Sequence, residues 1–482
     1  MRLNKLLGAF ALAATTTPAL AQVVSALPYQ RTMDLLVTDV TYDGIWRLAD
    51  LNQDGDYNDA GEITSYYSDV IGSFSWDSPG ALATSSDGTV FVGDVGTDQI
   101  YALRDDNGNG TANDPGEHRI FYDSTLPGAL VMQQVRGLTV DASGRVFAAV
   151  SNQSPLTTAD RILKFEDVNG DGDAQDVGEA SVYHSVPLST GNGNIANSIP
   201  TRVTAGPDAS LYYTDVGTLA GQPGIWKLSD LNFDGDTEDA GEASLYWNPS
   251  PGTNQYWSLE FDQNGAVYTT DHGVGTKEMW RAFDTNGDGT IQVPGEQTLF
   301  YSLGNAVWWD LVVRDDGALL LVDSDPTNDI ITLFRDLDND GSATGLGEAV
   351  EVYNAGSASQ VMRVASLAIL RGPTLEMVPP VASIGTTVNF QIKTGKPFEL
   401  AAPLVAISQI PPFSLAPFGN LEIDPVSLLI LGFGLSDAQG NFTFPVTVPN
   451  NPVFINTYGT QALCGDGFRL FLSNSALQTI TP

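Results

Sequence analysis

Short apolar runs, separated by clusters of Gly, Asp, Asn, Ser and Pro, recur along the first three quarters of the chain. Between Gly137 and Tyr183 they read G-L-T-V-D, then V-F-A-A-V after a tight turn, then I-L-K-F, then A-S-V-Y. β-Branched and aromatic residues dominate, and the alternation has period two, which predicts strands. No segment shows helical periodicity. Second strands of such four-strand groups are predicted at Leu35–Asp39, Val90–Asp94, Val146–Val150, Leu211–Asp215, Val267–Asp271 and Leu319–Asp323. First strands precede five of them, beginning near Ala81, Gly137, Arg202, Ser258 and Asp310. The N-terminal group lacks one, whereas Val364–Leu370 (V-A-S-L-A-I-L) follows the last group without a partner of its own. Pairing that run with Leu35–Asp39 would close a ring without free edges. The expected fold is all-β: a six-bladed β-propeller over about residues 30–371.

After Gly372-Pro373 the texture changes to Pro-rich breaks and alternating strands, among them Val388–Ile392, Leu428–Gly432, Phe442–Val446 and Leu470–Leu472. Residues 375–482 are therefore expected to form a separate β-sandwich.

The connection between third and fourth strands is unlike any other part of the chain. It reads D-L-N-Q-D-G-D-Y-N-D-A-G-E from Asp50 to Glu62 and recurs from Asp105, Asp167, Asp230, Asp284 and Asp336. Every copy has Asp at position 1, Gly at 6, Gly at 12 and Glu at 13. Oxygen-bearing side chains at 1, 3 and 5 converge if Gly at 6 lets the chain turn back, and a later carboxylate can close the cage. These loops resemble the EF-hand calcium loop in their first half only, because their closing Glu stands at 13 and not at 12. The expected ligands are Asp50, Asn52, Asp54 and Glu62; Asp105, Asn107, Asn109 and Glu117; Asp167, Asn169, Asp171 and Glu179; Asp230, Asn232, Asp234 and Glu242; Asp284, Asn286, Asp288 and Glu296; and Asp336, Asp338, Asp340 and Glu348. Up to six structural Ca²⁺ ions are expected. The Asp105 copy is weaker by one charge because Asn109 replaces Asp, and the acid at position 10 (Asp59, Asp114, Asp176, Asp239) is missing from the last two copies. A lone copy would be an ordinary solvated turn; six at identical spacing are not.

Net charge is −37, and 27 of the 58 acids lie in these loops. So large an acidic excess argues against nucleic acid or anionic lipid as partner. The start of the chain, with Arg2, Lys5, the apolar run Leu6–Ala14 and Ala19-Leu20-Ala21, reads as a secretory signal cleaved after Ala21. No later run is long enough to insert in a membrane. Cys464 is the only cysteine, so no intramolecular disulfide is possible. An exported, extracellular or cell-surface protein stabilised by core and metal is expected.

The stretch D-G-T-V-F-V-G-D-V-G-T-D-Q-I-Y-A-L, Asp87 to Leu103, resembles the NHL-type repeat of six-bladed, TolB-type propellers. Leu211–Asp215 before Ile225-Trp226 and Val267–Asp271 before Met279-Trp280 match it as well. The resemblance implies a fold and no particular activity. The metal ligands of propeller lactonases, the basic phosphate site of calcium-dependent phytases and the His/Arg site of quinone-dependent dehydrogenases are not matched residue by residue. The run from Gly419 into Asn451, ending in L-S-N-S-A-L-Q-T-I, resembles a C-terminal module of secreted bacterial proteins.

In a propeller the first-to-second and third-to-fourth turns share one face, so the acidic loops line one rim. The opposite face collects loops of irregular length, where a site on a repeated scaffold is expected. Five second strands end there in Asp: Asp39, Asp94, Asp215, Asp271 and Asp323. Asp271-His272 with Glu260 and Asp310 could support a hydrolase or sugar-modifying enzyme; alternatively the aspartates bond neighbouring backbone. Trp257, Trp308 and Trp309, with Asp271 and His272, are the candidate ligand-binding set, since aromatic rings beside polar groups suit a glycan. Trp76, Trp247 and Tyr256 are candidates for the same face or for packing between blades. Binding of an extracellular glycan or protein is the favoured reading; catalysis is the alternative.

Overall fold

The structure is a computed structural model. It describes residues 29–482 except 53, 73, 75, 77, 86–87, 106–109, 142, 153–158, 187–197, 218–222, 250–254, 263, 273–276, 305–307, 315–316, 324–328, 357, 359–361, 363, 373, 380, 395–398, 415–419, 438–440, 466–469 and 474–475. The side chains of strand residues 29–33, 303, 308–309, 371–372, 374, 376, 393, 411–414, 420, 422 and 471 are also outside the description. The expected signal sequence, Asn107 and Asn109 fall outside the described residues altogether.

Six antiparallel four-stranded sheets follow one another along the chain. The third, for example, consists of Val135–Val140, Val146–Val150, Arg161–Phe165 and Ala180–Ser185 in sequence order. The first sheet departs from that rule. Its inner strand is Val364–Gly372, from the far end of the propeller, and it pairs with Tyr29–Asp39 in the register Leu35↔Ile369, Leu36↔Ala368 and Val37↔Leu367. The last strand completes the first blade, and the ring is a six-bladed β-propeller.

Both faces of every blade are covered, which explains why the strands read as nearly continuous apolar runs. Successive side chains point to opposite faces, so Leu35 and Val37 join a core shared with the sixth blade while Leu36 joins one shared with the second. In the same way Val90 and Val92 face the first blade and Phe91 the third. Six such cores, one per seam between neighbouring blades, account for the buried interior of the propeller. Burying one large aliphatic or aromatic side chain contributes about 1.5–3 kcal/mol. The seams are therefore where most of the stability of the ring resides.

The inner strands Pro79–Thr84, Val135–Val140, Pro200–Ala205, Tyr256–Phe261, Trp308–Val313 and Val364–Gly372 surround a central channel. Its cavity is about 60 Å³, room for a few waters. One ion pair crosses it. Arg202 Nε on the fourth blade donates to Asp310 Oδ1 on the sixth at 2.9 Å. Asp310 Oδ2 in turn accepts from Ser366 Oγ (2.6 Å) and the Leu367 N–H (3.0 Å) on the first.

Beyond the ring, Thr374–Val378, Thr387–Lys393 and Asn441–Thr447 form one sheet. A second contains Val381–Ser383, Ala476–Thr481, Thr457–Gly465 and Leu400–Ala406, with short edge strands Leu429–Ile430 and Gly434–Leu435. Leu375, Met377, Val388, Phe390 and Ile392 of the first sheet pack on Ala401, Ala462, Cys464 and Ile480 of the second, which makes a β-sandwich. Cys464 is buried within it. No helix among the described residues is long and apolar enough to cross a membrane.

The channel ion pair gives a test. Asp310→Ala leaves the Arg202 guanidinium buried without its partner and is expected to cost about 3–5 kcal/mol, read from denaturant unfolding in calcium. The double variant Arg202→Met/Asp310→Leu removes both charges and should cost clearly less. An equal or larger loss would show that the pair is not energetically coupled.

Candidate metal loops and the opposite face

Each acidic loop leaves the third strand and returns into the fourth, and its turn at position 6 is the same in all six blades. The position-6 glycines (Gly55, Gly110, Gly172, Gly235, Gly289, Gly341) have φ between +84° and +99°, a region costly for any residue with a Cβ. That turn aims the position-6 N–H at the first carboxylate: Gly55 to Asp50 Oδ2, Gly110 to Asp105, Gly172 to Asp167, Gly235 to Asp230, Gly289 to Asp284 and Gly341 to Asp336, all at 2.8–3.0 Å. The side-chain oxygen at position 3 accepts the N–H of position 5, as Asn52 does from Asp54 (2.9 Å) and Asp338 from Asp340 (3.1 Å).

Carboxylates converge as a result. One oxygen each of Asp50, Asp54 and Glu62 lie within 4.8 Å of one another, and so do those of Asp336, Asp338 and Asp340. Two like charges 4 Å apart repel by about 1 kcal/mol even in bulk water and by more near protein. The position-10 acid joins this cluster although its place in the sequence is optional. Asn52 Nδ2 donates to both Asp54 Oδ2 (3.0 Å) and Asp59 Oδ2 (2.6 Å), and Asn169 and Asn232 repeat the pattern with Asp171, Asp176, Asp234 and Asp239. In the fifth loop, where Val293 holds position 10, Gln292 bridges Asn286 and Asp288 instead.

The position-13 glutamates have a role that their place in the sequence did not disclose. Glu62, Glu117, Glu179, Glu242 and Glu348 are buried beneath their loops. Glu242 Oε1 accepts the N–H groups of Leu231 (2.9 Å) and Asn232 (3.3 Å), and its Oε2 accepts that of Asp239 (3.1 Å). Glu62, Glu179 and Glu348 hold the corresponding three N–H groups, and Glu296 holds those of Thr285, Asn286 and Gln292, the last one position earlier in the loop. A carboxylate has about four lone-pair sites, so at most one remains for a cation. These residues brace the loop first and can add only a single oxygen to a metal.

Among the described residues, two carboxylate oxygens in these loops have no protein donor. Asp230 is 6 % exposed; its Oδ2 takes the Gly235 N–H, and its buried Oδ1 has no hydrogen-bond partner. Asp50 Oδ1 is buried and unpartnered in the same way. A buried anionic oxygen without a donor is rare in a folded protein and is accounted for by a bound cation. The all-oxygen donor set passes the same test.

On the opposite face three second-strand aspartates, Asp39, Asp94 and Asp215, accept from the turns that follow them. Asp39 Oδ1 accepts the Thr41 N–H (2.8 Å) and its Oδ2 the Trp46 indole N–H (3.2 Å). Asp94 accepts from the Gly96 N–H and Thr97 Oγ1, both 3.0 Å. Asp215 accepts from the Gly217 and Ile199 N–H groups and from Ser198 Oγ. Asp271 accepts the Gln255 N–H (3.3 Å). In the third blade, where Val150 interrupts the series, Asp160 accepts the Asn152 N–H (2.7 Å) from across the turn. Burial raises the Asp215 carboxyl above its ordinary range, against its hydrogen bonds.

The candidate catalytic group is not assembled. Asp310 is committed to Arg202, Ser366 and Leu367 in the channel. Glu260 accepts from Thr204 Oγ1 (3.3 Å). His272 lies beside Trp257, ring centroids 6.1 Å apart, with its Nε2 buried and without a hydrogen-bond partner. Burial, reinforced by Lys277, lowers its pKa to about 3.

Of the aromatic candidates, Trp76, Trp247 and Tyr256 belong to the seams. Trp76 packs on Tyr67 at 4.6 Å, Trp247 donates to Gln297 Oε1 and the Tyr256 hydroxyl to Asn248 Oδ1. Trp257 is half-buried. The side chains of Trp308 and Trp309 lie outside the described residues.

No protein-family model and no curated protein matches this sequence. Some solved structures are similar to it at low TM-scores. A catalytically inactive virginiamycin B lyase from Staphylococcus aureus with quinupristin is 15 % identical over 77 % of this chain and 95 % of that one, with a TM-score of 0.39. The periplasmic gluconolactonase of Pseudomonas aeruginosa is 14 % identical over 86 % and 99 %, with a TM-score of 0.40. The calcium-binding protein regucalcin of Agrobacterium tumefaciens is 16 % identical over 72 % and 95 %, with a TM-score of 0.33. The fold assignment rests on the strand order described above.

The state of His272 yields a measurable consequence. Its folded pKa lies below the unfolded value of about 6.5, so its contribution is complete above that pH and is lost as pH falls towards about 3. Between pH 7 and 5 this is worth up to about 2 kcal/mol. His272→Gln should flatten the stability profile by that amount in calcium, and the wild-type ring should stay neutral by NMR at pH 5. A ring that titrates near 6.5 would contradict the burial.

Proposed function

We propose that the protein is an exported, calcium-binding propeller that acts by binding an extracellular glycan or protein on the face opposite its acidic loops. The observation that carries the metal assignment is the unpartnered carboxylate oxygen of Asp230, repeated at Asp50, inside a loop that already gathers carboxylates. Positions 1, 3 and 5 hold the ion, helped by the position-10 acid where present and by one oxygen of the position-13 glutamate. Oxygen-only sites rich in carboxylate favour Ca²⁺, which accepts six to eight such ligands, over Mg²⁺, which retains its waters. The ion supplies charge neutralisation and stability; no chemistry is assigned to it.

The binding role is supported by the way the opposite face spends its polar groups. Its aspartates hold turns in place, and its half-buried Trp257 offers a ring edge beside a neutral His272. Such an edge suits a sugar face or an apolar side chain. Asp271 accepts the Gln255 N–H while the His272 N–H donates to Gln255 O, so Asp271 is a positioning residue in this scheme. Trp308 and Trp309, on the neighbouring inner strand, extend the proposed surface.

Two measurements test this. A ligand present at 100 times its Kd adds about 2.7 kcal/mol per site, so several loops together approach the 5–15 kcal/mol that stabilises a typical protein. Chelation should lower the melting temperature by at least about 10 °C, and added Ca²⁺ should restore it; an unchanged melt would remove the metal. A glycan array and an extracellular protein panel, probed with the calcium-loaded chain, should give a ligand that Trp257→Ala weakens at least tenfold with melting temperature preserved. Equal binding by that variant would place the ligand site elsewhere.

A further inference from the structure

All six acidic loops reach across to the preceding blade, and they do so through the same residue. The N–H of position 8 donates to a carbonyl on the neighbour's outermost strand: Tyr57 to Val352, Ala112 to Tyr66, Ala174 to Phe121, Thr237 to Tyr183, Ile291 to Tyr246 and Ala343 to Phe300, at 2.7–2.8 Å. The first of these joins the first blade to the sixth, so the bonds run round the whole ring. Each position-8 side chain is buried in the seam it crosses; Tyr57, Ala112, Ala174, Ile291 and Ala343 are part of the apolar cores there. Thr237 adds a second bond from its hydroxyl to Tyr183 O (3.0 Å).

Position 9 strengthens three of these crossings. Asn58 Oδ1 accepts the Asn354 N–H and Asn113 Oδ1 the Ser68 N–H, at 3.1 and 3.0 Å, and Glu238 Oε1 accepts the Ser185 N–H. In each case the donor lies two residues beyond the carbonyl already used, so the loop adds a short rung to the neighbour's outer edge.

The same loop thus has two ends. Positions 1 to 5 gather the carboxylates; positions 8 and 9 hold the next blade; the position-13 glutamate ties both to the neck through the N–H groups of positions 2, 3 and 10. With the cation absent, repulsion among the carboxylates opposes the conformation that presents position 8. Resting on the calcium reading above, we propose that Ca²⁺ occupancy of each loop controls the seam to the preceding blade, making the metal the fastener of the ring.

Hydrogen exchange read by mass spectrometry on the mature full-length chain, with calcium binding measured in parallel by titration calorimetry, tests this. Chelation should speed exchange at least about tenfold in the peptides containing the position-8 residues. The inner strands should remain slow in partial chelator. Asp230→Asn should lower the calcium stoichiometry by one and speed exchange selectively at Thr237, leaving the other five crossings protected in calcium. Asp284→Asn, with its effect expected at Ile291, serves if the first variant does not fold. Calcium that binds with unchanged exchange at position 8, or with changes confined to positions 1 to 7, overturns the proposal and leaves the calcium reading intact. Absence of any calcium binding overturns both.

Discussion

A ring of blades is held together by its seams, and each seam here has two components of different character. The apolar core is large, local and independent of the charge state of the loops. The backbone bond from position 8 is small, about 1 kcal/mol for a typical hydrogen bond, but it exists only if an acidic loop keeps one conformation. A buried N–H left without its acceptor costs about 1–3 kcal/mol, so failure of the loop is felt as a loss at the seam. Six repetitions around a closed ring turn this modest interaction into a condition on the whole propeller.

The charge distribution follows from that arrangement. Nearly half the acids of the chain lie in loops that also carry the contacts between blades. Concentrated negative charge beside a structural joint is destabilising unless something neutralises it. The buried and unpartnered oxygens of Asp50 and Asp230 mark where the protein alone does not. The central channel resolves the same difficulty internally, since Arg202 and Ser366 satisfy Asp310 with protein groups. No Lys or Arg occupies any of the six loops. Charge in the channel is therefore answered by the chain itself; in the proposed reading, charge at the rim is left to a ligand.

Much of the fold was legible because the propeller repeats. The period-two runs placed Val146–Val150 at its observed bounds, and the missing first strand of the N-terminal blade pointed to Val364–Leu370, which pairs with Leu35–Val37. The gathering of side chains near positions 1, 3 and 5 was legible from spacing, since a left-handed glycine at 6 has a local consequence. Position 8 was not, because its role is a main-chain bond to another blade and leaves no side-chain signature. The available clue was weak: the position carries no charge or amide in any copy, being Tyr, Ala, Ala, Thr, Ile and Ala in turn, but position 11 shares that property. The brace formed by Glu at 13 was hidden for a related reason. A carboxylate that holds a metal and one that holds three N–H groups look identical in sequence.

The opposite face shows where repetition stops informing. The aspartates that end the second strands look like a ring of acids, yet Asp39, Asp94 and Asp215 each serve the turn beside them, and that pattern recurs because the turn recurs. Where Val150 breaks the series, Asp160 supplies a carboxylate to the Asn152 N–H from the other side of the same turn. The need belongs to the backbone, and the residue that meets it can move. Function on this face must then come from what is not repeated. His272 is such a residue: the position that follows each second strand holds Val40, Val95, Ser151, Val216 and Ser324 in the other blades, so no scaffold requirement explains a neutral imidazole there. Trp257 beside it does recur, as Trp309 at the corresponding place in the sixth blade, so it is the departure at His272 that makes the fifth blade the candidate for recognition in the proposed reading.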